Sequence, residues 1–268
     1  MRLSTRSRLT VRVIALAYLG VLLVLPIVVI LVRTFGEGIG AFVASISTPA
    51  AISALNLSLL IVAIVVPLNV VFGVTIALAL VRGRFAGRGL VQAVVDLPFA
   101  VSPIVVGVSL ILLWGVNGWF GGFESLGLRV IFGLPGMVIA TIFVTLPFVV
   151  REVEPVLHEI GDEQEQAAAT LGASGWQTFW RITLPAIRWG LTYGVVLTVA
   201  RALGEFGAVI MVSSGFPGIS QTLTLLVHAR YIDGHNTFGA YSAATLLMGI
   251  ALVTLLLMTL LDRKRTAR

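Results

Sequence analysis

Six stretches of this sequence are each long and apolar enough to cross a bilayer, and that feature leaves few folds open. A hydrocarbon core of about 30 Å needs about 20 mostly apolar residues per helix. Such runs lie near Val13–Val32, Ser53–Val81, Leu90–Trp114, Gly136–Val150, Gly190–Val212 and Gly239–Leu261. The fourth is the shortest, and Ile131–Leu134 lengthens it if Pro135 is tolerated early in a helix. Pro26, Pro67, Pro98, Pro103 and Pro147 fall inside the runs as packing kinks, because neighbouring helices can satisfy the carbonyls they free. The chain is 58% hydrophobic and 11% charged, where soluble chains run near ~45–50% and ~25%. The expectation is an all-α, polytopic membrane protein forming one domain over residues 1–268.

The charges read as topology. Of 18 basic residues only Lys264 is a lysine, and the net charge is +6. Nucleic-acid binding would need a basic face on a soluble module, whereas these arginines stand between apolar runs. Lys and Arg in short loops mark the cytoplasmic side. Arg2, Arg6, Arg8 and Arg12 precede the first run, Arg82, Arg84 and Arg88 join the second to the third, Arg151, Arg181 and Arg188 join the fourth to the fifth, and Arg263, Lys264, Arg265 and Arg268 close the chain. The opposite side receives Arg33, Arg129 and Arg230. Both termini are therefore expected in the cytoplasm, with residues 1–12 a basic tail. A cleaved signal peptide is the rival reading of the first run, but Val13–Val32 is longer than a usual signal core and lacks an A-x-A site.

Between runs four and five, Arg151–Arg188 holds six of the 12 acidic residues: Glu152, Glu154, Glu159, Asp162, Glu163 and Glu165. A connection this long should carry structure. Its sequence reads as two short helices. The first, about Glu163–Leu171, is rich in strong helix formers, with Gly172 placed for a left-handed cap. Ser174 then caps the second, which Pro185 limits or restarts.

Here the chain resembles the permease subunits of bacterial ABC importers, whose hallmark loop reads E-A-A, three residues, G, nine residues, I-x-L-P. Gln166, Ala167, Ala168, Gly172, Ile182, Leu184 and Pro185 match that spacing, with Gln166 in place of the usual Glu. Glu165 is adjacent but about 100° round the helix, so the ion pair of the usual Glu does not transfer directly. The runs Asp96–Leu110, Val144–Leu157, Ala200–Gly218 and Gln221–Val227 are similar to the sulfate and molybdate branch, most of all to sulfate/thiosulfate permeases of the CysW type. The resemblance covers spans two to six. It implies the type I ABC importer permease fold, six transmembrane helices and a cytoplasmic coupling loop at residues 151–188. It also implies partners: two copies of an ABC ATPase, a second homologous permease, an extracytoplasmic sulfate-binding protein and membrane lipid. In the molybdate branch the permease is instead a homodimer.

Ionisable groups at span depth are costly and usually face protein or a water-filled path. Arg201 and Glu205 are four apart and share one face of span five. Two readings stand: Arg201 offers positive potential to a passing divalent oxyanion while Glu205 tempers it, or the pair locks span five to a neighbour. Asp96 enters span three about 12 Å from Arg88 at ~1.5 Å per residue and is expected to bond an arginine or a helix terminus in the scaffold, with Arg151 a candidate. Ser102, Pro103 and Gly107 line the path or allow close helix packing.

A phosphate-cradling loop requires G-x-x-x-x-G-K-[ST], and the single lysine sits in Arg263-Lys264-Arg265. The chain is therefore expected to bind no cofactor and perform no catalysis, with ATP and Mg used by the partner ATPase. Cysteine is absent, and His158, His228 and His235 are too scattered for a metal site. His228, Arg230, Tyr231, Asp233 and His235 fall in an outer loop, where they either greet a binding protein or are simply solvated. An ion-coupled secondary transporter is the rival class, but such folds often show inverted repeats, and the loop through Gln166 and Pro185 would have no ATPase to dock.

Overall fold

A computed structural model describes residues 5–125, 127 and 129–266, all helix and connecting turns with no strand among them. Arg2 and Arg268 of the basic clusters lie outside the described residues. Five helices are long and apolar enough to cross a membrane: Val11–Phe35, Pro49–Arg82, Leu134–Ile160, Gly175–Leu203 and Thr237–Leu256. They are spans one, two, four, five and six. The remaining span is a bent pair.

That pair corrects the expected single helix over Leu90–Trp114, in which Pro98 and Pro103 were to be packing kinks. Arg88–Ala100 and Pro103–Trp114 meet at 115°. The break sits where Pro103 begins the second helix and Ser102 before it is extended, at φ −60° and ψ 135°. A residue before proline is pushed out of the helical region, so the sequence Ser102-Pro103 forces the turn.

Span five is corrected as well. Its helix stops at Leu203 and a short helix, Gly207–Val212, follows after the Gly204–Phe206 break, so Gly190–Val212 is two pieces. At its other end the expected short helix after Ser174 does not stop at Pro185. Gly175 to Leu203 runs on as one helix through a π turn at Phe179–Thr183. The Leu184 N–H donates five residues back to Phe179 O. The proline ring normally clashes with the carbonyl four residues back, and the widened turn moves that carbonyl aside. Span one repeats the device: a π turn at Gly20–Val24 stands just before Leu25-Pro26.

Span four begins at Leu134 with Pro135 in its first turn, so the proline is tolerated, but Ile131 stays outside the helix. It runs to Ile160, ten residues past the expected end. The loop of Arg151–Arg188 is therefore mostly helix extending from both neighbours, and only residues 161–174, with the helix Glu163–Thr170, lie between.

Spans two, four and five form the centre. Leu80, Val149, Val150, Val153, Leu157 and Ile187 are fully buried there. Within this core Asn69 Nδ2 donates to Thr145 Oγ1 at 2.6 Å, joining spans two and four. Span one stands apart. No residue of its most apolar 18-residue stretch is buried, and its tie is near its end, where Thr34 meets Thr245 Oγ1 of span six at 2.9 Å.

Candidate functional site: a loop helix and a charged break

The loop helix Glu163–Thr170 buries none of its residues. It ends as its sequence demands. Gly172 takes φ +84°, the Gly172 N–H donates to Ala169 O and the Ala173 N–H to Ala168 O, the two bonds of a Schellman cap. Ser174 then starts the next helix in a capping box: its side chain accepts from the Gln177 N–H while its own N–H donates to Gln177 Oε1. Gln166 and Ala167 are exposed, Ala168 is half-buried, and Leu171 projects with 88% of its surface free. The helix thus offers a thin, small-residue face ending in one large apolar side chain. Ile182, Leu184 and Pro185 belong to the entrance of span five rather than to the loop, the first two half-buried.

Glu165 forms the ion pair that could not be carried over from Gln166. Its Oε2 lies 2.9 Å from Arg82 Nε, at the end of span two, and its Oε1 accepts from Thr183 Oγ1 at 2.7 Å. Arg82 also donates to the Leu157 carbonyl at 3.2 Å and to the Gly161 carbonyl, so it satisfies the end of span four. Arg82 and Thr183 were not evident in the sequence as site residues, because they stand 83 and 18 positions from Glu165.

The second cluster lies at the two helix breaks. Arg201 Nη1 contacts Glu205 Oε2 at 2.5 Å. Glu205 is 2% exposed, its Oε1 accepts the Ala208 N–H at 2.8 Å, and its carbonyl accepts from Thr224 Oγ1 at 2.8 Å. The carboxylate therefore caps the restarted helix as well as pairing Arg201. Arg201 keeps a third of its side chain free and lines a cavity of about 430 Å³ with Pro98, Phe99, Ser102, Pro103, Val144 and Phe148. The structure thus brings Arg201, Ser102 and Pro103 together, with Glu205 behind. Gly107 is a packing residue: a Cβ there would lie 2.5 Å from Met211 Cβ and 2.8 Å from Ala208 O.

Asp96 finds the expected partner. Arg151 Nη2 and Nε donate to Asp96 Oδ1 at 2.6 and 3.1 Å, and the guanidinium sits 5.1 Å from the Phe99 ring. The outer cluster divides. Arg230 donates to the carbonyls of Ser45 and Gly239 and to Thr48 Oγ1 at 3.1, 2.9 and 2.9 Å, tying the end of one connection to the start of span two. Burial pulls its guanidinium below the ordinary value, yet arginine stays charged. The His228 ring packs 5.3 Å from Phe206, and Tyr231 lies 6.2 Å from Tyr241. Asp233 and His235 remain exposed.

Five span-length helices and a bent pair, with broken helices meeting at an arginine a third exposed, define a multi-pass membrane protein. Residues 69–267 match the binding-protein-dependent transport system inner membrane components, and the chain belongs to that family of ABC permeases. It is 50% identical over 94% of its length to the sulfate transport system permease protein CysW of Synechocystis sp., covering 91% of that protein. It is 36% identical over 94% of its length to the sulfate transport system permease protein CysT of the same organism, covering 88% of it. The bacterial alginate ABC transporter, solved in complex with an alginate pentasaccharide-bound periplasmic protein, includes a chain of the same fold. TM-score is 0.75 at 18% identity over 96% of this chain and 94% of that one.

Proposed function

We propose that this chain is one half of the translocation path of an ATP-driven sulfate importer. Two copies of an ABC ATPase bind and hydrolyse ATP with Mg, and this chain carries no catalytic step. The observation that carries the reading is the loop helix: it buries nothing of its own, ends in a fixed glycine cap and projects Leu171, as a segment made to seat in another protein's groove would. Its side of the membrane also carries the arginine-rich loops, which supports cytoplasmic termini. An extracytoplasmic sulfate-binding protein delivers the anion from the opposite face. Relatedness to both CysW and CysT of one organism, stronger to CysW, supports pairing with a second, non-identical permease.

Arg201 serves the anion at the breaks, with Ser102 and Pro103 shaping the cavity beside it. A bare arginine would hold sulfate too firmly for transport, and Glu205 tempers the field so that the site guides without trapping. ATP closing the ATPase pair moves the two coupling loops together and turns the path outward.

Purification of the tagged subunit from its own membranes in mild detergent, with mass spectrometry of what accompanies it, tests the assembly. An ATPase with a second permease is expected. An ATPase with this permease alone would replace the heterodimer by the molybdate-type homodimer, and reproducible absence of an ATPase would overturn the importer.

A further inference from the structure

The loop helix is attached to the body of the protein through very little. It buries no residue, and between it and span two lies a cavity of about 330 Å³ lined by Leu78, Ala169, Ala173, Phe179 and Thr183. Glycines with positive φ stand on either side of it, Gly161 at +65° and Gly172 at +84°. A helix set between two such glycines over an open space, with only Glu165 and Ala168 partly buried, has little packing to fix its angle.

What fixes it is one carboxylate. Glu165 Oε2 takes the Arg82 guanidinium and Oε1 takes the Thr183 hydroxyl. Arg82, at the end of span two, spends its other donors on the Leu157 and Gly161 carbonyls at the end of span four. Thr183, 4% exposed, lies in the π turn that opens span five, and π turns inside helices frequently mark functional positions. Spans two, four and five therefore converge on the loop helix through Arg82, Glu165 and Thr183. Charge-assisted bonds of this kind are roughly twice as strong as neutral ones, and both partners are about four-fifths buried.

We infer that the Arg82–Glu165–Thr183 clamp is the positioning device that makes the loop helix move as one body with spans two, four and five. Glu165 acts through these partners and touches no substrate. The inference rests on the importer reading and adds where the force enters. With the clamp intact, a displacement of the loop helix by the ATPase is passed to three spans at once. With it open, the helix and its glycine cap swing from Gly161 and the displacement is absorbed there.

Glu165→Gln and Thr183→Val, made separately in the full complex, test this. Each is expected to leave the ATPase bound while sulfate uptake and the stimulation of ATP hydrolysis by loaded binding protein fall about tenfold, within the usual range of coupling between distant sites. The chain contains no cysteine, so spin labels on Gln164→Cys and Arg84→Cys, attached to the subunit before assembly, report the angle of the loop helix without background from this chain. The distance distribution should be narrow for the parent and broad for both variants. Normal coupling in both variants, or an unchanged distribution, overturns the clamp. A wild-type complex that lacks an ATPase would instead overturn the importer, while the label distances still decide the clamp. If Glu165→Gln fails to assemble, Thr183→Val, which keeps the ion pair, decides between the two outcomes alone.

Discussion

Two arginine–glutamate pairs lie near the two ends of span five, Arg82–Glu165 bonded to Thr183 in its opening turn and Arg201–Glu205 at its break, and they are built for opposite ends. At the loop, Arg82 gives its Nε and both terminal nitrogens to protein: a carboxylate and two helix-end carbonyls. At the break, Arg201 has the single carboxylate of Glu205 and turns the rest of its guanidinium toward a cavity. The first glutamate is shared with a hydroxyl of another element, the second with the N–H of the helix that follows it. Identical charges thus give a closed joint in one place and an available field in the other. What differs is how many donors remain after the local backbone has been satisfied, since an unpaired buried group costs far more than a pair gains.

The sharpest way to break the contrast is at the loop's bend. Gly172→Pro forces a φ near −65° where the cap needs +84°, so uptake should be abolished and the ATPase lost or uncoupled, while the subunit still inserts. Normal uptake would sink the loop's role. Next is Glu205→Ala, which removes the cap of Gly207–Val212 and strands a half-buried arginine. Arg201 keeps a third of its side chain free, so the cost stays below that of stranding a fully buried charge, and thermal unfolding of the purified complex should still drop. Unchanged stability would show that the pair is not structural. Arg201→Ala sharpens the comparison from the other side: flux should fall about tenfold, worth about 1.4 kcal/mol, with complex yield kept. Equal loss of both would make it a lock on span five. Smallest is Asp96→Asn, because the Asp96–Arg151 pair is 35% and 52% exposed and such pairs contribute about 0–1 kcal/mol. A large loss of stability there would show that the bent span depends on this bridge.

Much of this was legible in the chain, and the misses have physical causes. Apolar run length located all six spans, and the polar segment between the fourth and fifth located the loop, whose spacing from Gln166 to Pro185 was legible only through its resemblance to a known family. The breaks escaped a hydropathy reading, since Val101, Ser102 and Pro103 are apolar enough to pass for span while their dihedral angles end a helix. Ser102-Pro103 was the available signal. Of the two readings of Pro185, limiting or restarting the helix, the structure takes the second: Pro185 sits in the first turn of Leu184–Leu203, after a π turn at Phe179–Thr183. Arg151 could be named as a candidate for Asp96 from topology, but only the structure makes the pair. Arg82 and Thr183 could not, because only the packing of spans two, four and five brings them to Glu165. Arg230, placed by the sequence in an outer loop that either greets a binding protein or is solvated, is bonded to Ser45, Thr48 and Gly239.

The central claim is that this chain is a path driven by nucleotide from one end and open to an anion at the other. Radiolabelled sulfate uptake into proteoliposomes containing the purified complex, with and without enclosed ATP and Mg and with and without loaded binding protein outside, tests it directly. Uptake that requires both ATP and the binding protein, and that falls in Arg201→Ala, is the result expected. Uptake that proceeds without ATP and follows an imposed ion gradient would contradict it.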